Sequence, residues 1–113
     1  MKKILFTTLF LIGSVAAAPM ADEIAHLLDF VETSGCRFER NGSQYDAREA
    51  RTHIERKYDY VRKRVRRTED FIRYAASESS MSGRKYHAIC DGKPIASQEW
   101  LTEELRRYRR RHP

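Results

Sequence analysis

The sequence lacks the residue patterns that hold metal ions. It contains only two cysteines among 113 residues, and no Cys-x-x-Cys pair. Its four histidines are scattered, and no His-x-x-x-His pair is present. Zinc sites need several such ligands at characteristic spacings. We therefore expect no metal site and no cofactor.

The sequence also lacks the motifs of well-known serine hydrolases. No Gly-x-Ser-x-Gly segment is present. Ser82 and Lys85 have the Ser-x-x-Lys spacing of penicillin-recognising enzymes, but the accompanying Ser-Asp-Asn and Lys-Thr-Gly motifs are missing. Gly83 lies between the two residues and favours the end of a helix over the helical turn that the mechanism needs. These motifs predict no catalytic residue.

Long hydrophobic runs are limited to one, ILFTTLFLIGSV at residues 4–15. It follows the basic residues Lys2 and Lys3 and leads into the small residues of VAAAP. This pattern is typical of a secretory signal peptide, which we place at residues 1–17 with cleavage after Ala17. The run is too short for a membrane-spanning helix, which takes roughly 20 residues. We predict an exported protein, periplasmic or secreted, of a Gram-negative bacterium, without a transmembrane segment.

The remaining residues, 18–113, have the length of a single small domain. They contain no internal repeat and no low-complexity linker. Removing Lys2 and Lys3 lowers the formal net charge from +6 to +4. The predicted domain therefore stays basic, and its C-terminal helix carries much of that charge.

The two cysteines, Cys36 and Cys90, both lie in the predicted mature chain. An even cysteine count in an oxidising compartment favours a disulfide. The bond would close a loop of 55 residues, which the loop-entropy model values at roughly 4 kcal/mol of stability. The alternative is two free, buried thiols.

Apolar spacing and turn residues predict an α+β domain in the order helix, hairpin, helix, helix, hairpin, helix. The first helix is predicted in DEIAHLLDFVETSG, where apolar residues recur every three or four positions. Asn41-Gly42 and Asp91-Gly92 are typical of two-residue hairpin turns, because these residues tolerate positive φ angles. The expected fold has four helices and two short antiparallel β-hairpins.

Several side chains are expected to cap the later helices. Asp46 and Glu49 have the spacing of a capping box at the start of the longest helix. The buried stripe of that helix is predicted to continue as far as Val65. Thr68 is expected to cap the next, shorter helix, and Ser97 the last one.

Two stretches, FERNGSQYDAREARTHI and TEDFIRYAASESSMSGRKY, resemble the signature of a known family. It is the YfeK-like family of small exported bacterial proteins, whose function is not established. The likeness covers most of residues 24–90. The resemblance implies export and one compact domain, and it implies no reaction. The matched positions are Arg40, Asn41, Gly42, Glu49, Ala50, His53, Phe71, Ile72, Ser79, Ser80, Gly83 and Tyr86.

Polar residues of these stretches form a candidate binding cluster. Glu49 and His53 are four positions apart and share one helical face, and Arg40 precedes the same helix. Such a cluster could bind an acidic or carbohydrate ligand by charge-assisted hydrogen bonds. The alternative, which we favour, is a structural network that satisfies backbone groups. The candidate binding residues are Arg40, Asn41, Glu49, His53, Ser79, Ser80 and Tyr86.

Basic residues are concentrated in two predicted helices. Nucleic acid would bind such a surface, but the export signal argues against that role in vivo. Anionic components of the bacterial envelope are the alternative partner, and a merely solvated helix face is the other interpretation. The basic surface comprises Arg56, Lys57, Arg62, Lys63, Arg66, Arg67, Arg106, Arg107, Arg109 and Arg110.

Taken together, these patterns predict a small periplasmic binding or interaction protein without catalytic activity. Its partner would be an anionic envelope component or a periplasmic protein. One alternative is a hydrolase-like envelope enzyme that uses His53 and Glu49 as acid and base. Another is an inhibitor of an exported enzyme, presenting the loop Ser79–Tyr86.

Overall fold

Helices and strands follow one another in the predicted order. The structure is a computed structural model that describes residues 18–113, so the signal peptide predicted for residues 1–17 lies outside the described residues. The α+β class and the order helix, hairpin, helix, helix, hairpin, helix are confirmed. The elements are α1 (Met20–Thr33), β1 (Arg37–Arg40), β2 (Ser43–Tyr45), α2 (Ala47–Val61), a 3₁₀ turn (Arg62–Arg64), α3 (Thr68–Ala75), β3 (His87–Cys90), β4 (Lys93–Ala96) and α4 (Ser97–Arg111).

The two hairpins join into one antiparallel sheet with strand order β2-β1-β3-β4. Both predicted turns form where expected, with positive φ angles at Asn41 (51°) and Gly42 (84°) in the first turn. Two successive residues in the left-handed backbone conformation match the twist of the flanking strands. The hairpins meet through β1 and β3, where Phe38 pairs with Ala88. Both residues are buried and belong to the core.

Cys36 and Cys90 form the predicted disulfide. They continue the ladder between β1 and β3 by one position beyond the pair Arg37 and Ile89. Their Cα atoms are 4.5 Å apart, which is the ordinary separation of a non-hydrogen-bonded antiparallel pair. The bond therefore fastens the two hairpins at a position that the sheet itself places correctly.

The core lies where α1 packs against the other three helices and the sheet closes the remaining side. The predicted stripe of α1 is buried throughout. α3 contributes its apolar face, and α4 contributes two leucines. The most deeply buried large side chains are Phe71, Leu27, Ile72, Leu101, Val31 and Thr68.

The predicted continuation of α2 to Val65 is wrong. The helix ends at Val61, a 3₁₀ turn follows, and Val65 is extended, with φ −93° and ψ 109°. A continuous helix would stack the like charges of residues 62–67 along its faces, which is unfavourable. Leaving the helix separates those charges and still buries the Val65 side chain, which is 8% exposed.

Of the predicted caps, the capping box of Asp46 and Glu49 is confirmed. Thr68 and Ser97 are not caps, because each is the first residue of its helix. Both are buried, and the Thr68 hydroxyl donates a hydrogen bond to Glu23 of α1. Thr68 therefore stabilises the contact between α3 and α1 instead of capping its own helix.

No helix within residues 18–113 combines the length and the apolar character that a membrane crossing requires.

Candidate functional site

An apolar cavity of about 350 Å³ opens between the first hairpin, α2 and the start of α4. Its walls reach down to Val31, Ala76 and Leu101, each 1% exposed or less. Its volume falls in the range of small-molecule sites, about 300–1,000 Å³. Apolar and aromatic residues make most of the wall: Val31, Phe38, Tyr45, Ala50, Ile54, Ala76, Tyr86, Trp100 and Leu101.

The start of α2 is fixed at the cavity mouth by its capping box. Asp46 Oδ1 accepts a hydrogen bond from the Glu49 N–H at 2.8 Å, and Glu49 Oε1 accepts one from the Asp46 N–H at 3.0 Å. Because Asp46 directly follows β2, the box sets the angle between the hairpin and the helix. The polar face of α2 is thereby directed to the cavity mouth, with Arg48, Glu49, Thr52, His53 and Arg56 along it.

His53 lies in the cavity wall and contacts Tyr86. The His53 Nε2 atom is 3.2 Å from the Tyr86 hydroxyl, and the two rings meet edge to face. The Lys57 ammonium donates to the same hydroxyl at 3.1 Å and to the backbone carbonyl of Glu78. Since Lys57 can only donate, the Tyr86 hydroxyl accepts from it and keeps its own proton available for His53 Nε2.

Burial and, to a smaller extent, positive surroundings keep His53 neutral. Burial lowers the pKa of His53 to about 4, and the charges of Arg40, Lys57 and Arg56 act in the same direction. Burial also lowers the pKa of Lys57 and raises the pKa of Tyr86. At neutral pH the cluster therefore contains an uncharged imidazole, an un-ionised phenol and an ammonium group.

Three arginines surround the mouth without an acidic partner within the described chain. Arg40, Arg48 and Arg56 line the cavity, and none of them forms a salt bridge with residues 18–113. The Arg40 guanidinium packs over the ring of Tyr45 at 4.8 Å. These guanidinium groups therefore keep hydrogen-bond donors available to an anion.

The two carboxylates at the mouth make other contacts. Glu39 accepts hydrogen bonds from the Gly42 N–H at 2.9 Å and pairs with His87 at 3.1 Å. Glu49 is held by its capping box and makes no hydrogen bond to His53 in the described structure. The charged groups at the mouth that lack a partner in the described chain are therefore the three arginines, and the mouth is positive.

The structure divides the predicted binding residues into two groups. Arg40, Glu49, His53 and Tyr86 line the cavity. Asn41, Ser79 and Ser80 lie outside it, in and beside the loop between α3 and β3.

That loop is held together by internal hydrogen bonds. The buried hydroxyl of Ser79 accepts the N–H groups of Met81 and Ser82, both at 3.2 Å. Asn41 Oδ1 accepts the Ser82 hydroxyl at 2.7 Å, which ties the loop to the first hairpin turn. Ser80 is exposed. These contacts satisfy the loop's own backbone groups and contribute nothing to the cavity.

Sequence reasoning missed four residues of the site. Trp100 lines the cavity, and its ring packs against Phe30 at 4.6 Å and Phe38 at 5.5 Å between ring centroids. Lys57 was assigned to the basic surface but is half-buried against Tyr86. Its position four residues after His53 was the available signal, because such residues share a helical face. The contributions of Tyr45 and Arg48 follow only from how the hairpin meets α2.

The cations of the predicted basic surface fall into two groups, those that form salt bridges and those that do not. Arg109 binds Glu23 and Glu69, while Arg106 and Arg107 bind Glu103 and Glu104. Arg62 binds Asp59. The other predicted cations apart from Lys57 are exposed and have no salt-bridge partner in the described chain: Arg56, Lys63, Arg66, Arg67 and Arg110.

Within residues 18–113, no group of three or more histidine, cysteine or carboxylate side chains is arranged to hold a metal ion.

Comparison with known proteins identifies the chain's family. No curated protein and no solved structure matches the chain. One family, described as "Family of unknown function (DUF5329)", matches residues 18–109. The match begins just before α1 and ends within α4, so it spans the sheet, the disulfide and the cavity. This chain therefore belongs to DUF5329, a family of unknown function.

Proposed function

We propose that this protein is a small non-catalytic binding protein whose ligand is an amphipathic anion. The apolar body of the ligand would occupy the cavity, and its carboxylate or phosphate group would lie at the mouth. The single observation that carries the proposal is an apolar cavity reaching the core beneath three arginines that have no salt-bridge partner in the described chain.

The cavity wall supports an apolar ligand body. Trp100, Phe38 and Tyr45 provide flat aromatic surface, and the buried residues below them provide aliphatic surface. Water in such a space would find few hydrogen-bond partners, so an apolar group gains free energy by replacing it. The N–H donors of the three guanidinium groups then favour an anionic head group, because a guanidinium binds planar and tetrahedral oxyanions through two parallel hydrogen bonds.

The state of His53 supports binding over acid-base catalysis. With its pKa lowered to about 4, the imidazole is a weak base at neutral pH. Glu49, its predicted partner in the hydrolase alternative, accepts a backbone hydrogen bond in the capping box. No described serine, threonine or cysteine is hydrogen-bonded to His53, whose partner is the Tyr86 phenol, and burial raises the pKa of that phenol. These contacts favour the non-catalytic proposal.

We also propose that the protein is exported, as expected of a YfeK-like protein of a Gram-negative bacterium, and acts in the periplasm or outside the cell. The signal-peptide pattern of residues 1–17 supports this location. The disulfide between Cys36 and Cys90 is consistent with it, because such bonds persist in oxidising compartments. An envelope location would also bring the cavity near anionic lipids and their breakdown products.

The proposal can be tested with Trp100, the only tryptophan in the sequence. Because Trp100 lines the cavity, its fluorescence reports directly on occupancy. The probes are dodecanoate, dodecanol and dodecyltrimethylammonium, which share an apolar chain and differ in head-group charge. We expect a saturable fluorescence change with dodecanoate at concentrations below micelle formation, and weaker binding of the other two.

Arginine variants complete the test. Arg40→Gln and Arg56→Gln are each expected to weaken dodecanoate binding by about tenfold, the loss of one hydrogen bond to a charged group. Arg110→Gln, which removes an exposed arginine of α4, is the matched control and should leave binding unchanged. Equal affinity for the three probes, or an equal loss in the control, would contradict the proposed ligand class.

A further inference from the structure

A second exposed feature lies one helical turn beyond the cavity mouth. Tyr60, near the end of α2, is 86% exposed, which is unusual for a large aromatic side chain. Arg56 precedes it by one turn, and Lys63 and Arg64 follow it in the 3₁₀ turn. We name as the Tyr60 face the surface formed by Arg56, Tyr60, Lys63, Arg64, Arg66 and Arg67, all of them exposed.

The carboxylates of this part of the chain do not neutralise that face. Between residues 56 and 73 the acids are Asp59, Glu69 and Asp70. Asp59 pairs with Arg62, and Glu69 pairs with Arg109 of α4. Asp70 accepts hydrogen bonds from the backbone N–H groups of residues 66 and 67. No cation of the Tyr60 face therefore has a salt-bridge partner within residues 18–113.

Helix electrostatics do not account for the whole cluster. Cations near the end of α2 are favoured there, because the C-terminal end of a helix is negative. Arg66 and Arg67, however, directly precede α3, where the positive helix end favours anions. Glu69 and Asp70 in the first turn of α3 offset part of that cost, but neither carboxylate forms a salt bridge with Arg66 or Arg67.

We propose that the Tyr60 face docks on the surface of an anionic lipid bilayer. A tyrosine combines an apolar ring with a polar hydroxyl and prefers the depth of the lipid head groups. Lysines and arginines around it gain free energy beside anionic lipids. Protein interfaces have a buried core that is depleted of charged residues. This face instead offers one exposed aromatic ring and five cations between residues 56 and 67, which fits the head-group layer of an anionic bilayer better.

The docking proposal goes beyond the proposed ligand and stands independently of it. Only Arg56 belongs to both surfaces. If both proposals hold, the cavity mouth adjoins the bilayer, which is the source of amphipathic anions. The residues altered below do not line the cavity, so that failure of one proposal can be distinguished from failure of the other.

The test measures co-sedimentation of residues 18–113 with vesicles. This segment contains every described helix and strand, and it omits the apolar residues 4–15, which could themselves enter a bilayer. Vesicles of phosphatidylcholine are compared with vesicles of phosphatidylcholine and phosphatidylglycerol. We expect binding to the anionic vesicles only, and weaker binding at high salt.

Two variants of the Tyr60 face identify the surface. The triple variant Lys63→Gln, Arg66→Gln, Arg67→Gln is expected to lower the partition coefficient on the order of 100-fold, since each cation near the surface accounts for about fivefold. Tyr60→Ser is expected to lower it by several fold, and dodecanoate binding should be unchanged in both variants. The matched control removes the same charge elsewhere, as Lys85→Gln, Lys93→Gln, Arg110→Gln, all of them exposed positions.

Three results would overturn the proposal. The first is equal binding to neutral and anionic vesicles. The second is an equal loss in the control variant, which would assign the attraction to net charge alone. The third is a preference for a short DNA duplex over anionic vesicles, with the same sensitivity to the triple variant, which would assign the face to nucleic acid. Melting curves of each variant verify that its fold is retained.

Discussion

Arg109 in the last helix donates two hydrogen bonds to the carboxylate of Glu23 in the first, from Nε at 2.8 Å and from Nη2 at 3.0 Å. The same guanidinium donates to Glu69 of α3 at 2.7 Å. Glu23 is 5% exposed and also accepts the hydroxyl of Thr68. The hydrogen bond from Arg109 lowers the pKa of Glu23, with a further contribution from Thr68. One arginine of the basic C-terminal helix thus joins three helices.

Replacing Arg109 should destabilise the fold more than any other single arginine of α4. Arg109→Gln would leave the carboxylate of Glu23 buried without its charged partner, and we expect the free energy of unfolding to fall by about 2 kcal/mol. Urea denaturation followed by circular dichroism measures the change.

Arg110→Gln is the matched control for this experiment, with an expected change within about 0.5 kcal/mol. The double variant Glu23→Gln, Arg109→Gln should be less destabilised than the two single effects added together, because the residues contact each other. Strict additivity would show that the contact between Glu23 and Arg109 contributes no coupling energy.

The pKa of His53 makes stability depend on pH. The folded protein keeps His53 neutral down to about pH 4, whereas an unperturbed histidine takes up a proton near 6.5. Between these values the unfolded chain binds more protons at this position, so stability falls as the pH is lowered from 6.5 to 4. Below pH 4 the contribution from His53 no longer changes. Melting temperatures between about pH 7 and about pH 5 measure the effect.

His53→Gln should flatten that pH dependence, whereas His112→Gln, at an exposed position after α4, should preserve it. The ring protons of His53 provide a direct measurement by NMR. A His53 resonance that titrates near 6.5 would contradict the buried, positively surrounded environment described above.

The disulfide should provide a large part of the stability of so small a domain. The Cys36→Ser, Cys90→Ser variant releases a loop of 55 residues, and the loop-entropy model predicts a loss of roughly 4 kcal/mol. Urea denaturation of the oxidised protein and of the variant gives the difference. A reductant should destabilise the native protein by a similar amount and leave the variant unaffected. A native protein that is insensitive to reductant would mean that the sheet alone holds the hairpins together.

Ser79 and Ser80 are neighbours with opposite expected behaviour. Ser79→Ala removes the acceptor of two backbone N–H groups at a position only 5% exposed, so we expect a loss of about 1–2 kcal/mol. Ser80→Ala, at an exposed position, should change stability by less than about 0.5 kcal/mol. Hydrogen exchange at Met81 and Ser82 reports on the loop directly. Unchanged exchange in Ser79→Ala would contradict the structural role of this hydroxyl.

Local sequence signals predicted most of the architecture. Asn41-Gly42 and Asp91-Gly92 formed hairpin turns because their backbone preferences are local. The capping box of Asp46 and Glu49 formed for the same reason. The errors occurred at Thr68, whose hydroxyl is used for a tertiary contact, and at Ser97, which is the first residue of α4 and bonds to the Tyr86 carbonyl through its backbone N–H. At Val65 the hydrophobic spacing continued although the helix did not, because burial requires only that the side chain reach the core.

Only part of the candidate site could be predicted from local sequence signals. Glu49 and His53 share a helical face, so their proximity follows from helical geometry. That Tyr86 lies beside His53 depends on how β3 packs against α2. The exclusion of Ser79 from the cavity depends on the closed hydrogen bonding of its loop.

By itself the sequence determined the type and order of the elements, because propensity and turn chemistry act over short distances. It also favoured a disulfide between its only two cysteines. Only the tertiary structure decided which charges are free. Arg109 and Arg110 are adjacent in sequence, yet Arg109 is bound by two carboxylates from distant helices and Arg110 has no salt-bridge partner in the described chain. The same holds for the cavity, whose walls come from segments that are distant in sequence and meet only when the sheet closes on the helices. The physical reason is that burial and charge pairing depend on distances in space, which spacing along a chain does not specify.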